Sequence, residues 1–149
     1  MPIAHLSVVD AHARQSHGAT LVDVRSTREY AAGHPAGALN VPVLEHDEDT
    51  GELVPNPDFV RVMKSNFTPD TEILISCQSG VRSVRATQML EAFGFVHPIN
   101  VLGGFGGSRD RTPGKPVDLG WAESGLPVDV QPTPGGAYAD LLARADDAG

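Results

Sequence analysis

A single cysteine, Cys77, stands among 149 residues. That scarcity excludes a disulfide framework within the chain and suits a reducing cytoplasm. Basic residues are few as well. Eleven Lys and Arg against 19 Asp and Glu leave a formal net charge of -8, which argues against a nucleic-acid surface. No apolar run approaches the length of about 18 residues needed to span a bilayer, so no membrane association is expected. The first residues, Met1-Pro2-Ile3-Ala4-His5-Leu6-Ser7, lack the basic-then-apolar pattern of a secretory signal. Histidines are scattered at positions 5, 12, 17, 34, 46 and 97 without the spacing of metal ligands, so no metal site is expected. Repeats and low-complexity tracts are absent. What is present, 40% hydrophobic residues in a chain of this length, suffices for one substantial core.

Cys77 is the most informative position. An apolar run, Glu72-Ile73-Leu74-Ile75-Ser76, reads as a buried strand and ends on it. A small polar loop follows, Cys77-Gln78-Ser79-Gly80-Val81-Arg82-Ser83, and then a helical pattern. A helix start offers unpaired backbone N–H groups and a partial positive charge, and both favour a thiolate over a thiol. The plain alternative is a buried cysteine acting as a small hydrophobe. The polar loop favours the nucleophile.

In the following helix Ala86, Met89, Leu90 and Phe93 fall at i, i+3, i+4 and i+7, one apolar face, with Gly94 as the C′ residue. One turn back along that stripe lies Arg82. Its guanidinium therefore starts on the inner side and calls for a buried carboxylate, whose loss of partner would cost about 3–5 kcal/mol. Arg85 and Glu91 fall nearer the outer face.

Elsewhere the chain alternates strands and helices. Ser7 to Gln15 reads as a helix capped by Ser7, and Ala19 to Val24 as a strand. Ser26 followed by Glu29 is a capping box. His46 to Glu52 reads as an acidic surface loop, Asn56-Pro57 as a helix start with Asn56 as cap, and Ile99 to Leu102 as a short strand. Such alternation implies an α/β fold: a mostly parallel central sheet of about five strands with helices on both faces. Sites in such sheets sit at the carboxyl ends of strands, where Cys77 is.

Four motifs in order carry a family resemblance. Leu21-Val22-Asp23-Val24-Arg25 precedes Glu29-Tyr30, and Gly33-His34-Pro35-Ala36-Gly37-Ala38-Leu39-Asn40 follows. With the Cys77 loop, Gly103-Gly104-Phe105, and the closing Trp121 and Gly125-Leu126-Pro127-Val128, this resembles the rhodanese family of sulfurtransferases from about Ile3 to Val128. The resemblance implies that Cys77 takes a sulfane sulfur from a donor, thiosulfate or a persulfide, and passes it to a thiol or cyanide acceptor, a protein thiol included, with no metal or organic cofactor needed. The loop residues Gln78, Ser79, Gly80, Val81, Arg82 and Ser83 would hold the persulfide. Asp23 and Glu29 are the candidates implied to pair with Arg82 or Arg25, which acid with which arginine being left open. Ordinary ion pairing is the plainer reading of all these charges, Arg25 and Arg28 above all, and His34 reads as an architectural turn residue. The uncharged Gln78 and Ser79 lean toward persulfide donors over thiosulfate. Two alternatives stand beside this one. Cysteine phosphatases and arsenate reductases also place an arginine after the cysteine, but with five residues between, where this loop has Gln78 to Val81. Rhodanese-like domains that lack the cysteine serve as binding or regulatory modules, and retention of Cys77, Gly80 and Arg82 argues against that role. A monomer or homodimer fits equally.

Residues 1–130 read as one domain and 131–149 as a tail that is partly ordered at most. The segment from Gly106 to Gly120 is longer than the family's. It concentrates Arg109, Arg111 and Lys115 in an acidic protein, and reads either as a rim for an anionic substrate or as a plain surface loop. Pro116 after Lys115 and the glycine spacing exclude the phosphate-loop and dinucleotide motifs.

Overall fold

The computed structural model describes residues 3–108 and 118–148. Arg109, Arg111 and Lys115 lie outside the described residues. In chain order the elements are β1 (Ala4–Leu6), α1 (Val8–Ser16), β2 (Thr20–Asp23), α2 (Thr27–Ala32), β3 (His34–Pro35), β4 (Leu39–Asn40), β5 (Leu44–His46), β6 (Leu53–Pro55), α3 (Phe59–Asn66), β7 (Ile73–Ser76), α4 (Val81–Ala92), β8 (Pro98–Val101), β9 (Val128–Asp129) and α5 (Tyr138–Ala148).

Five strands form one sheet in the order β1-β8-β7-β2-β4, every neighbour parallel. Side-chain alternation along the buried central strands splits the core in two. Ile73 and Ile75 of β7, with Val22 of β2, face a cluster built by Phe59, Val62 and Met63 of α3, Ala86 and Leu90 of α4, and Leu141 and Ala145 of α5. Leu21 and Leu74 face the other way, against Val8 and Ala11 of α1, Tyr30 of α2 and Trp121. Helices thus cover both faces, as the alternation implied. Among the described residues no helix is long and apolar enough to cross a membrane.

Local chemistry sets the helix starts. Ser7 caps α1 by accepting from the Asp10 N–H at 3.2 Å, and Ser26 with Glu29 forms the full capping box on α2. The start of α3 differs from expectation. Its cap position is Asp58, and Asn56 instead folds a turn before the helix, its Oδ1 accepting from the Asp58 N–H at 3.0 Å. The acidic stretch after His46 is the turn of an antiparallel hairpin, β5 with β6.

Two expectations are corrected. The inner face of α4 is Ser83, Ala86, Thr87 and Leu90, while Phe93 is 52% exposed. Thr87 is tolerated inside because its hydroxyl donates to the Ser83 carbonyl at 2.7 Å, leaving no unpaired group. Phe95, beyond the helix, takes the core position. The C-terminal tail, expected to be partly ordered at most, forms α5. Leu141 and Ala145, one turn apart, are buried against the core, and Tyr138 and Arg144 hydrogen-bond Asn56 and Asn66.

Candidate functional site

Strand β7 ends at Ser76, so Cys77 leaves the sheet at its carboxyl edge, between the equivalent ends of β2 and β8. The chain turns at Gly80, whose φ of 103° is costly for any residue with a Cβ, and enters α4 at Val81. This turn folds the first N–H groups of α4 back onto the sulfur. The Gly80 N–H lies 3.1 Å from Cys77 Sγ and the Ser83 N–H 3.3 Å. The Ser83 hydroxyl accepts from the thiol at 3.3 Å. Cys77 itself is buried. Converging N–H groups at a helix start favour negative charge on that atom. Among the described residues the bonded N–H groups are these two, fewer than the whole loop expected from sequence. The Val81 side chain, between them, is 75% exposed.

The two arginines expected near the loop sort cleanly between the two acids. Arg82 donates to both carboxylate oxygens of Glu29, at 2.7 and 2.9 Å. Burial alone would push the Glu29 carboxyl up. The Arg82 fork and the N–H and hydroxyl of Ser26 outweigh it and hold the group at about 2, against an ordinary 4.5. The pair is not fully buried, since the side chains keep 17% and 25% exposure, so the expected cost of a stranded carboxylate shrinks.

Arg25 does more than the ordinary ion pairing read from sequence. It is 3% exposed, and its Nε and Nη2 grip the Asp23 carboxylate at 2.8 to 3.1 Å. Nη2 also donates to the Gly33 carbonyl, and Nη1 to Gln78 Oε1 at 3.2 Å. The guanidinium carbon lies 4.5 Å from the Phe105 ring centroid. Sequence held a clue to this: residues 23 and 25 alternate onto one side of an extended chain that ends beside β7.

The segment after β8 backs the loop. The Phe105 N–H donates to the Cys77 carbonyl at 2.7 Å, and the Gly106 N–H to the Gln78 carbonyl at 2.8 Å. Gly104, at φ 56°, presses so closely that a Cβ there would sit 2.3 Å from the Cys77 carbonyl oxygen. Trp121 is fully buried and donates from its ring N–H to the Pro127 carbonyl at 2.6 Å. His34 is buried, stacked on Tyr30 at 3.7 Å, and bonded to the Tyr30 carbonyl, an architectural setting.

A model of the rhodanese-like domain matches residues 7–109. The chain belongs to the rhodanese-like family. Among its rhodanese-like relatives, thiosulfate sulfurtransferase 16 of Arabidopsis thaliana, a chloroplastic protein, is 34% identical over 123 residues, covering 83% of this chain and 90% of that one. The senescence-associated protein DIN1 of Raphanus sativus is 35% identical over 108 residues, 72% of this chain but only 51% of that one. Of solved structures, Rv0390 from M. tuberculosis superposes with a TM-score of 0.69 over 88% of this chain and all of that one, at 23% identity, a likeness of fold.

Proposed function

We propose that this rhodanese-like protein is a sulfurtransferase that carries a sulfane sulfur as a persulfide on Cys77. The observation that carries the reading is the seating of Cys77 Sγ at 3.1 and 3.3 Å from the N–H groups of Gly80 and Ser83, at the carboxyl edge of a parallel sheet. Relatives named thiosulfate sulfurtransferases support it.

The Cys77 thiolate attacks the outer sulfur of a donor. A sulfur–sulfur bond forms on Cys77 as the donor's own bond breaks, and the donor leaves with that electron pair, as sulfite from thiosulfate or a thiolate from a persulfide. An acceptor thiolate or cyanide then attacks the terminal sulfur and returns Cys77 as thiolate. The chain's part is to hold charge at one place. The N–H groups of Gly80 and Ser83 sit where Sγ carries negative charge as the attacking thiolate and again as the departing thiolate, while the terminal sulfur carries it in between. Arg82, with both arms on Glu29, has its fork occupied, which suits a loop built around a sulfur atom better than one that grips a tetrahedral oxyanion.

Mass spectrometry of the protein after incubation with thiosulfate or a small-molecule persulfide tests the reading. Gain of one sulfur, lost on adding cyanide or a thiol and absent in Cys77→Ser, is expected. Turnover by Cys77→Ser equal to that of the parent would overturn it.

A further inference from the structure

We propose that Arg25 is a positioning residue for Cys77 and acts through the side chain of Gln78. The inference rests on the reading of Cys77 as the sulfur carrier and adds to it the part that fixes the loop. Gln78 follows the nucleophile directly, and its backbone is already held from one side by the Gly106 N–H. Its side chain folds back over that same glycine, where a Cβ at Gly106 would lie 2.1 Å from Gln78 Nε2, so the amide has one narrow seat. The other end of the amide is the acceptor for Arg25 Nη1 at 3.2 Å. Arg25 cannot swing, because Asp23, the Gly33 carbonyl and the Phe105 ring hold the rest of its guanidinium. Nor is that hold cheap to keep for stability alone, since a fully buried ion pair contributes little net energy. A fixed cation grips the side chain of the residue beside the thiol and so fixes the peptide from Cys77 into the turn that presents the Gly80 and Ser83 N–H groups. Phe105 belongs to the same unit, its N–H on the Cys77 carbonyl and its ring under Arg25.

The test uses Gln78→Met, which keeps length but offers Arg25 no acceptor, with Arg25→Lys and the double variant. Two readouts are taken: amide hydrogen exchange of residues 77–83, and the kinetics of sulfur transfer. Gln78→Met is expected to speed exchange at Gly80 and Ser83 and to lower kcat on the order of tenfold while KM for the donor stays within about twofold, the signature of a misplaced reacting group. If Arg25 works through Gln78, the double variant is no worse than the worse single one. Native exchange and native kcat in Gln78→Met would overturn the proposal, as would losses that multiply in the double variant. Should Arg25→Lys fail to fold, Gln78→Met alone decides. Failure of the sulfur-carrier reading shows separately, as turnover by Cys77→Ser, while exchange at Gly80 and Ser83 still judges the positioning.

Discussion

Arg82, in the first turn of α4, grips Glu29, in the first turn of α2, through two hydrogen bonds of 2.7 and 2.9 Å. The same carboxylate closes the capping box at Ser26. One acid therefore fixes the start of α2 and anchors the helix whose N-terminus faces Cys77. The tie spans 53 positions of sequence and joins the two halves of the family pattern at the site.

Arg82→Ala removes that anchor. Because the pair keeps partial solvent access, the expected loss is about 1–3 kcal/mol, between values for exposed and for buried pairs. Urea unfolding measures it. A midpoint unchanged within error would show that the tie contributes nothing to the fold.

Acid sensitivity follows from the same carboxylate. Glu29 is held at about 2 in the folded protein against an ordinary 4.5. Between those values the unfolded chain binds a proton that the native state does not, so stability rises with pH there. The contribution is fully present above the ordinary value and is lost as pH falls toward 2. Glu29→Gln, less stable at pH 7, should lose less further stability than the parent when both are unfolded at pH 5 and again at pH 3. Equal losses in the two proteins would contradict the assignment.

Much of this is legible in the amino-acid sequence alone. Ser7, and Ser26 with Glu29, announced helix starts because capping needs one residue type at one position. The strand before Cys77 stood out because a central parallel strand is apolar on both faces. The inner face of α4 was not legible. Ser83 and Thr87 look solvent-facing by hydrophobicity, and only the local hydroxyl–carbonyl bond makes Thr87 acceptable inside. Phe93 looked like core, yet it lies in solvent with the Lys64 ammonium 5.6 Å from its ring centroid. The role of Arg25 is not legible for a similar reason: its partners Gln78 and Phe105 lie 53 and 80 positions away, and composition near Arg25 says nothing of them.

Gly104 is expected to be harder to replace than Gly80, the other glycine that shapes the Cys77 turn. Gly104→Ala places a Cβ 2.3 Å from the Cys77 carbonyl oxygen and 2.9 Å from the Gln78 carbonyl carbon, and backbone cannot step aside as a flexible side chain would. Gly80→Ala meets only the Gly103 nitrogen at 3.6 Å, an ordinary contact, so its cost is the φ strain of about 1–3 kcal/mol. Gly104→Ala should therefore melt lower than Gly80→Ala and lose sulfur loading with it. The reverse order of melting temperatures would show that the segment at Gly104 yields easily.

The C-terminal helix supplies the last prediction. Its sequence, rich in Ala and Asp, hides a narrow stripe in which Leu141 and Ala145 alone are buried. Leu141 has no exposed surface and packs in the same cluster as Phe59, Val62 and Met63 of α3. The Asn66 amide donates to the Leu141 carbonyl at 3.0 Å, and Arg61 pairs with Asp146 at 2.9 Å. The ion pair is exposed and adds little. The leucine matters far more, since deleting a buried leucine side chain costs about 2–5 kcal/mol through lost burial and the cavity left behind. Leu141→Ala should lower stability by that amount, whereas Asp146→Ala should fall within about 1 kcal/mol of the parent. Cys77 belongs to the same apolar cluster, on the sheet face that α5 helps to cover. A chain ending at residue 130 should consequently unfold at lower urea than Leu141→Ala. A truncated chain as stable as the parent would return these residues to the status of a dispensable tail.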